Sequence, residues 1–345
     1  MKKDIGFIAI GQGGGNIGQL FEELDYSVLY VNTSAEDLKT LDKAKHKHHI
    51  QGGEGCNKDR DKAKNLVVKD FEGIFNKVEQ TLEEEFVFVV FTTGGGTGSG
   101  ASPMLIDLLM QQTDKKIGAI CVLPARNEPI KALINSYECF KELEEIEGMG
   151  ATFILDNKKD NKFSINKNFV GLFDSFIGMP THHSTKGNID TAEIKELLST
   201  RGASIITKMS KTTSETSRLI SSFSQNIFAP MQADKVIAYI GLSAASQIDL
   251  NAVTKETGTC LDIFQGVNAD NTICVLAGLT YPYAELEQMK EKVEEGKETV
   301  TKNLLTTGET KLSDGINFLN GVKKKMAATN TKDDVSDVFS KYLKK

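Results

Sequence analysis

Two glycine-rich stretches restrict the fold of this 345-residue chain more than any other feature: "GQGGGNIG" at residues 11–18 and "GGGTGSG" at residues 94–100. Each stands between a strand-like apolar run and a helix-period segment. Glycine after a parallel strand lets the chain turn tightly and expose its N–H groups, and the helix that follows adds the positive end of its dipole. An anion is the natural ligand of such a turn. In a doubly wound sheet both turns fall at the carboxyl edge, where ligands bind, so two N–H cradles there fit a di- or triphosphate. A flexible linker does not belong between the buried strand "FVFVVF" and the apolar helix "PMLIDLLMQQ", in which Pro103 is read as sitting near the helix start.

The first half of the chain repeats strand, loop and helix: "IGFIAI", "SVLYVN", "EFVFVVF", "KIGAICVLP" and "GATFILDN" are strands separated by helical stretches. The fold class expected is α/β, with a Rossmann-like domain built on a mostly parallel sheet over residues 1–162. "NKNFVGLFDSFIGM" is apolar nearly all round and reads as a buried central helix linking two cores, residues 163–180. A smaller α+β domain follows over 181–282, with helices at "TAEIKELLST", "SETSRLISSFSQNIF" and "DLNAVTKETGTCL" and strands at "GASIITKM", "KVIAYIGL" and "TICVLAGL". A long charged helix over 283–310 carries one apolar stripe, Leu286, Met289, Val293, Val300 and Leu304, interrupted by Gly296. Residues 311–345 hold eight lysines against four aspartates, a local charge of +4 that leaves −10 on the remainder. That tail reads either as a contact arm or as a solvated helical end.

The net charge of −6 gives no global basic field, so direct sequence-specific DNA binding and attachment to anionic lipid are not expected. No apolar run approaches the length that spans a membrane, and the start "MKKDIGFIAI" runs straight into a strand, so the chain is expected in the cytoplasm. Five scattered cysteines lack CxxC spacing, and "HKHH" with His182 and His183 lies in predicted loops without supporting acids; neither set makes a metal site. Cys56 lies within a glycine loop near the expected phosphates, either reactive or buried.

Gly13, Gly15 and Gly18 satisfy the GxGxxG of dinucleotide-binding folds, but the ribose-binding acid expected after the second strand is replaced by Asn32, with Glu36 and Asp37 arriving late. An NAD-binding oxidoreductase remains as an alternative that does not account for the second turn. No lysine follows either glycine run as in GxxxxGK[ST], which excludes the usual P-loop enzymes.

"GGGTGSG" resembles the signature of the tubulin and FtsZ superfamily of GTP-dependent filament proteins, and further loops follow in that family's order. "GQGGGN" (Gly11, Gln12, Gly13, Gly14, Asn16) resembles the first nucleotide loop, "VNTSAEDL" with Asn32 the second and "GGEGCNKD" the third. Gly94, Gly95, Gly96, Thr97, Gly98 and Ser99 form the fourth, which holds the phosphates. The resemblance further implies that Glu128 of "LPARNEP" contacts the ribose, that Asn157 of "ILDNKKD" meets the guanine edge, and that Phe163 and Asn166 serve at the base-stacking position. There the spacing departs from the family's, and Phe163 as plain core stays an alternative. Ala132 stands where an arginine is often found, next to Lys131.

The same family inserts two acids from one subunit into the next subunit's pocket, and "GNIDTAEIKELL" offers Asn188, Asp190 and Glu193. Three residues apart at a helix start, Asp190 and Glu193 can share a face and activate water; the competing reading is an N-terminal cap. The resemblance therefore implies a polymerisation-dependent GTPase with GTP/GDP and Mg²⁺ as ligands and itself as head-to-tail partner. The long helix and lysine-rich tail look more like the TubZ-type branch that segregates plasmid or phage DNA through a DNA-binding adaptor than like division-type FtsZ; a phage tubulin that positions DNA is a further alternative.

Overall fold

In the computed structural model, described for residues 1–345 apart from Arg126, His183, 232–234, 308–332 and 344–345, β1 (Ile5–Ile10) enters α1 (Gly11–Glu22) without an intervening loop. Gly11 makes that junction possible at φ 71°, a left-handed conformation open to glycine. The chain continues through β2 (Ser27–Asn32), α2 (Ala35–Lys39), β3 (His46–His49), α3 (Arg60–Thr81), β4 (Phe86–Thr92), α4 (Thr97–Gln112), β5 (Lys116–Leu123), α5 (Ile130–Glu144) and β6 (Ala151–Asp156). These strands lie in the order β3-β2-β1-β4-β5-β6, all parallel. That is the doubly wound order of dinucleotide-binding folds, reversing between β1 and β4.

Beyond it come α6 (Lys162–Ile177), α7 (Thr191–Ser199), β7 (Gly202–Ser210), α8 (Thr216–Ser222), β8 (Tyr239–Ala244), α9 (Leu250–Thr257), β9 (Asp262–Val267), β10 (Asn271–Leu279), α10 (Tyr283–Thr307) and α11 (Asp333–Leu343). The sheet runs on from β6 to β7 through the parallel pairs Ala151↔Gly202, Thr152↔Ala203 and Phe153↔Ser204, then through β10, β8 and β9. β10 is antiparallel to both neighbours. The central helix α6 buries Phe169, Phe173 and Phe176, and Phe173 meets Phe7, Phe21, Phe88 and Phe153 at ring separations of 5.4–5.7 Å. Edge-to-face contacts of this kind add to the burial that holds α6 on the sheet. No helix among the described residues is long and apolar enough to cross a membrane.

Several local features differ from the sequence expectation. The "HKHH" segment is the edge strand β3, where His48 Nε2 lies 2.8 Å from Asp70 Oδ2 and His49 Nε2 lies 2.9 Å from the Gly53 carbonyl. β9 escapes a hydrophobicity reading because it is an outer strand with half its residues exposed. α8 is one short helix, not a run to Phe228. Gly296, the break in the apolar stripe, is a point of close approach between α10 and α5: a Cβ there would lie 2.2 Å from Ile130 Cδ1. Leu286, Met289 and Val293 of the stripe are buried, while the side chains of Val300 and Leu304 lie outside the described residues.

Pro103 lies inside α4, past its first turn, so the Ser99 carbonyl has no helical donor. The Arg60 guanidinium takes that place, with Nη2 at 3.0 Å and Nε at 3.3 Å from Ser99 O. Arg60 and Lys64 both pair with Glu142 at 2.5 Å, all three nearly buried. Of the lysine-rich tail, 311–332 and 344–345 lie outside the described residues, whereas α11 docks on α3 and α4. Val338 and Tyr342 are buried there, and Lys341 Nζ lies 2.8 Å from Asp107 Oδ2. Burial and the Asp107 carboxylate push the Tyr342 hydroxyl well above the ordinary tyrosine range, so it stays protonated beside Asp107 and the Pro103 carbonyl.

Removing the shared anion of the triad leaves two buried cations, which costs about 3–5 kcal/mol when one partner of a buried ion pair is deleted. Glu142→Leu is expected to lower the urea midpoint accordingly; an unchanged midpoint would show that the cluster does not support the fold.

Candidate nucleotide site

Adjacency of β1 and β4 brings the two glycine turns together: a Cβ on Gly11 would sit 3.4 Å from the Gly98 N. The amino ends of α1 and α4 therefore abut at one sheet edge. α1 lies so close to β4 that a Cβ on Gly14 would be 2.2 Å from the Val90 carbonyl oxygen. The other loops close round this point. Thr97 Oγ1 is 2.7 Å from Thr33 Oγ1, which accepts from Cys56 Sγ at 3.4 Å, and Gly55 N–H donates to the Thr33 carbonyl at 2.9 Å. Cys56 is buried in this contact, which settles its place between the two earlier readings.

Asn32 is buried and shapes the second loop: its Oδ1 accepts from Ser34 N–H at 3.1 Å and its Nδ2 donates to Asp37 Oδ2 at 3.2 Å. A narrow cleft beside it is lined by Gly11, Gln12, Asn16, Asn32, Asp37 and Thr40, with Gln12 and Asn16 exposed. Behind the fourth loop, Asn135 of α5 donates through Nδ2 to the carbonyls of Gly95 at 2.8 Å and Lys58 at 3.1 Å. Ser99 Oγ donates to the same Gly95 carbonyl at 2.5 Å.

At the other side of the edge, Glu128 Oε1 accepts from Ala125 N–H at 3.3 Å and pairs with Lys162 Nζ at 3.3 Å, which ties the fifth loop to the start of α6. The Asn157 Oδ1 is buried with no partner among the described residues, so a donor can still be received there. Its neighbours are fixed: Asp156 Oδ1 accepts from Lys158 N–H at 3.0 Å, and Lys158 pairs with Glu285 of α10. Burial raises the Asp156 carboxyl pKa. Phe163 is 83% exposed, which removes the plain-core reading and leaves its ring open to stack, whereas Asn166 on the same helix is buried. Lys131 donates to the Asn57 carbonyl at 3.1 Å.

Asp190 and Glu193 are not at this edge. In the single chain they form a capping box at the start of α7: Asp190 Oδ1 accepts from Glu193 N–H at 2.9 Å and Glu193 Oε2 from Asp190 N–H at 2.8 Å. Asn188 Oδ1 accepts from Ser184 N–H. The box engages one oxygen of each carboxylate and exposes Asp190. α6 leads away from the cradle for sixteen residues, about 24 Å at the helical rise. Its far end meets the amino ends of β1 and β2, where Asp174 Oδ1 accepts from Lys2 and Tyr26. Lys195 of α7 likewise pairs with Glu85, just before β4. The acid loop thus lies beyond the far end of α6 from the cradle, its Gly187 carbonyl accepting from Val267 N–H at the end of β9 at 3.0 Å. Among the described residues, no group of three or more His, Cys, Asp or Glu side chains is arranged to hold a metal ion.

The tubulin/FtsZ family, GTPase domain, matches residues 4–164. Over its whole length the chain is similar to a tubulin-like protein TubZ of a Clostridium botulinum C phage, 30% identical over 361 residues and covering 99% of this chain and 100% of that one. The chain belongs to the tubulin/FtsZ family. Membership makes it a GTPase that binds guanine nucleotides and removes the oxidoreductase alternative. The tubulin-like protein CetZ of Pyrococcus abyssi is 30% identical, over 44% of each chain. Among solved structures, the Clostridium botulinum phage c-st TubZ superposes with a TM-score of 0.77 at 29% identity, covering 87% of this chain and 100% of that one. A helical model of a TubZ-Bt two-stranded filament gives 0.77 at 16% identity over 92% and 94%, a likeness of fold.

Sequence reading missed Arg60, Asn135 and Lys162, which act on carbonyls or carboxylates far along the chain. For Arg60 the signal needs the true start of α4: with the helix beginning at Thr97, Pro103 leaves the Ser99 carbonyl without a helical donor. Gly14→Ala forces α1 off the Val90 carbonyl, so it is expected to lower stability by about 1–3 kcal/mol and to weaken GDP binding. Calorimetry showing wild-type melting and affinity would refute the close approach.

Proposed function

We propose that this GTPase assembles head to tail, and that Asp190 and Glu193 of one copy complete the phosphate cradle of the next. The separation of the two halves by α6 carries this reading: neither carboxylate can reach its own chain's cradle. In a neighbour's cradle, Asp190 would orient or deprotonate the water that attacks the γ-phosphate, with Glu193 beside it and Asn188 holding the loop. The N–H groups of residues 94–99 and of the start of α1 would take the phosphate charge. Mg²⁺, where bound, would neutralise charge between the terminal phosphates. Asn157 would accept from the guanine edge, Phe163 would stack, and Glu128 would face the ribose once Lys162 yields.

Head-to-tail contact between unlike faces produces an open row wherever the rotation between copies does not close on itself. Relatives have been solved as a GTPγS-form protofilament of Bacillus thuringiensis serovar israelensis TubZ and as a two-stranded filament, which supports the reading. The cellular role we infer is cytoplasmic segregation of plasmid or phage DNA. Full-length similarity to a phage TubZ favours it over a division role, and the lysines of residues 311–345 offer charge complementarity to an adaptor bound on DNA.

Asparagine caps a helix as well as aspartate does, so Asp190→Asn keeps the structural role and removes the carboxylate. Its GTP turnover is expected to fall by about 10²-fold or more while melting temperature and assembly persist; normal turnover in a phosphate-release assay would leave Asp190 as a cap only. Asn157→Ala removes an oxygen that has no hydrogen-bond partner among the described residues. It is expected to leave the melting temperature unchanged or higher while weakening GTP binding, and an equal loss of ATP and GTP affinity would contradict base recognition.

A further inference from the structure

We propose that Asn135 is the positioning residue of the phosphate cradle, setting the direction in which its glycine N–H groups point. The proposal rests on the reading that residues 94–99 hold the phosphates. Asn135 is 5% exposed and lies on α5, a helix packed between α4 and α10. A side-chain amide carries two N–H donors, and here Nδ2 reaches the carbonyls of Gly95 at 2.8 Å and Lys58 at 3.1 Å, with Gly94 O at 3.5 Å.

In a trans peptide the C=O and the following N–H point in opposite directions. Drawing the Gly95 carbonyl inward therefore turns the Gly96 N–H outward, and drawing the Gly94 carbonyl inward does the same for Gly95 N–H. Three successive glycines have no side chain to choose that orientation themselves and lose more backbone freedom on ordering than other residues. Ser99 Oγ adds a second donor to the Gly95 carbonyl at 2.5 Å, but it belongs to the same short segment. Arg60 of α3 holds only the Ser99 carbonyl at the far end of the segment, whereas Asn135 ties the Gly95 carbonyl to a separate helix. Its bond to the Lys58 carbonyl extends the hold to the third loop, where Asn57 and Lys58 stand at φ 44° and 58°. Asn135 thus fixes two phosphate-side loops to one rigid support.

The test compares ligands that differ in phosphate number. Asn135→Leu keeps the branched outline of the side chain and removes the donors, so the ratio of GTP to GMP affinity, read by competition against a fluorescent GDP, is expected to fall about tenfold. A residue that merely fills space would weaken both ligands together and leave the ratio intact, which overturns the proposal. If Asn135→Leu does not fold, Asn135→Ser retains a hydroxyl and room for water; an intermediate fall in the ratio supports the proposal and an unchanged ratio overturns it. Gly96→Ala serves as reference, since its Cβ would lie 2.9 Å from Cys56 Cβ and from Lys58 N. If Gly96→Ala retains full GTP affinity, the phosphate assignment itself fails; if it loses affinity while Asn135→Leu keeps the wild-type ratio, only the role of Asn135 fails.

Discussion

Everything at the nucleotide edge depends on the pairing of β1 with β4. Their register, from Ile5↔Phe86 to Ala9↔Val90, places two strands distant in sequence side by side at the point where the strand order reverses. Each then delivers a glycine turn and a helix amino terminus to the same spot. Both strands are buried nearly throughout, so the register is held by apolar side chains on both faces, and a slip would expose them to the wrong layer.

Charge is used sparingly and in the right place. The Pro103 that releases the Ser99 carbonyl would weaken α4 where the cradle begins; Arg60 restores the lost bond from a neighbouring helix. Arg60 is itself oriented by Glu142, and Glu142 also neutralises Lys64, above whose ammonium the Tyr342 ring of α11 lies at 5.7 Å. A buried cluster of this kind contributes little net stability compared with apolar packing. Its effect is geometric, because a forked guanidinium accepts few arrangements.

The fold was legible wherever burial wrote a pattern. β1, β4, β5 and β6 are continuous apolar runs, and α6 announces itself by phenylalanines on several faces. Where burial is partial the pattern fades: β3 is "HKHH" and β9 is "DIFQGV", both held as strands by a single neighbour. Gly296 was legible as a break in the apolar stripe but not as a packing position, because the Ile130 side chain it makes room for is distant in sequence. Of the site, the glycine turns were readable because their chemistry is in the backbone. The acid pair was readable as a motif, but one sequence pattern serves both a capping box and a water-activating pair, and the isolated chain displays the first. Asn135 and Arg60 carry no local mark, since what they do is set by which carbonyls the fold brings within reach.

In the proposed head-to-tail assembly, the length of α6 would also make the two tips of a row of copies unequal. In the shared-site arrangement n copies contain n cradles but only n−1 junctions, so one tip always presents a nucleotide that no neighbour can hydrolyse and the other presents acids with nothing to act on. Short rows are dominated by this mismatch and long rows are not. Such a row of any length would therefore carry a direction and a terminal subunit whose nucleotide ages differently from the rest.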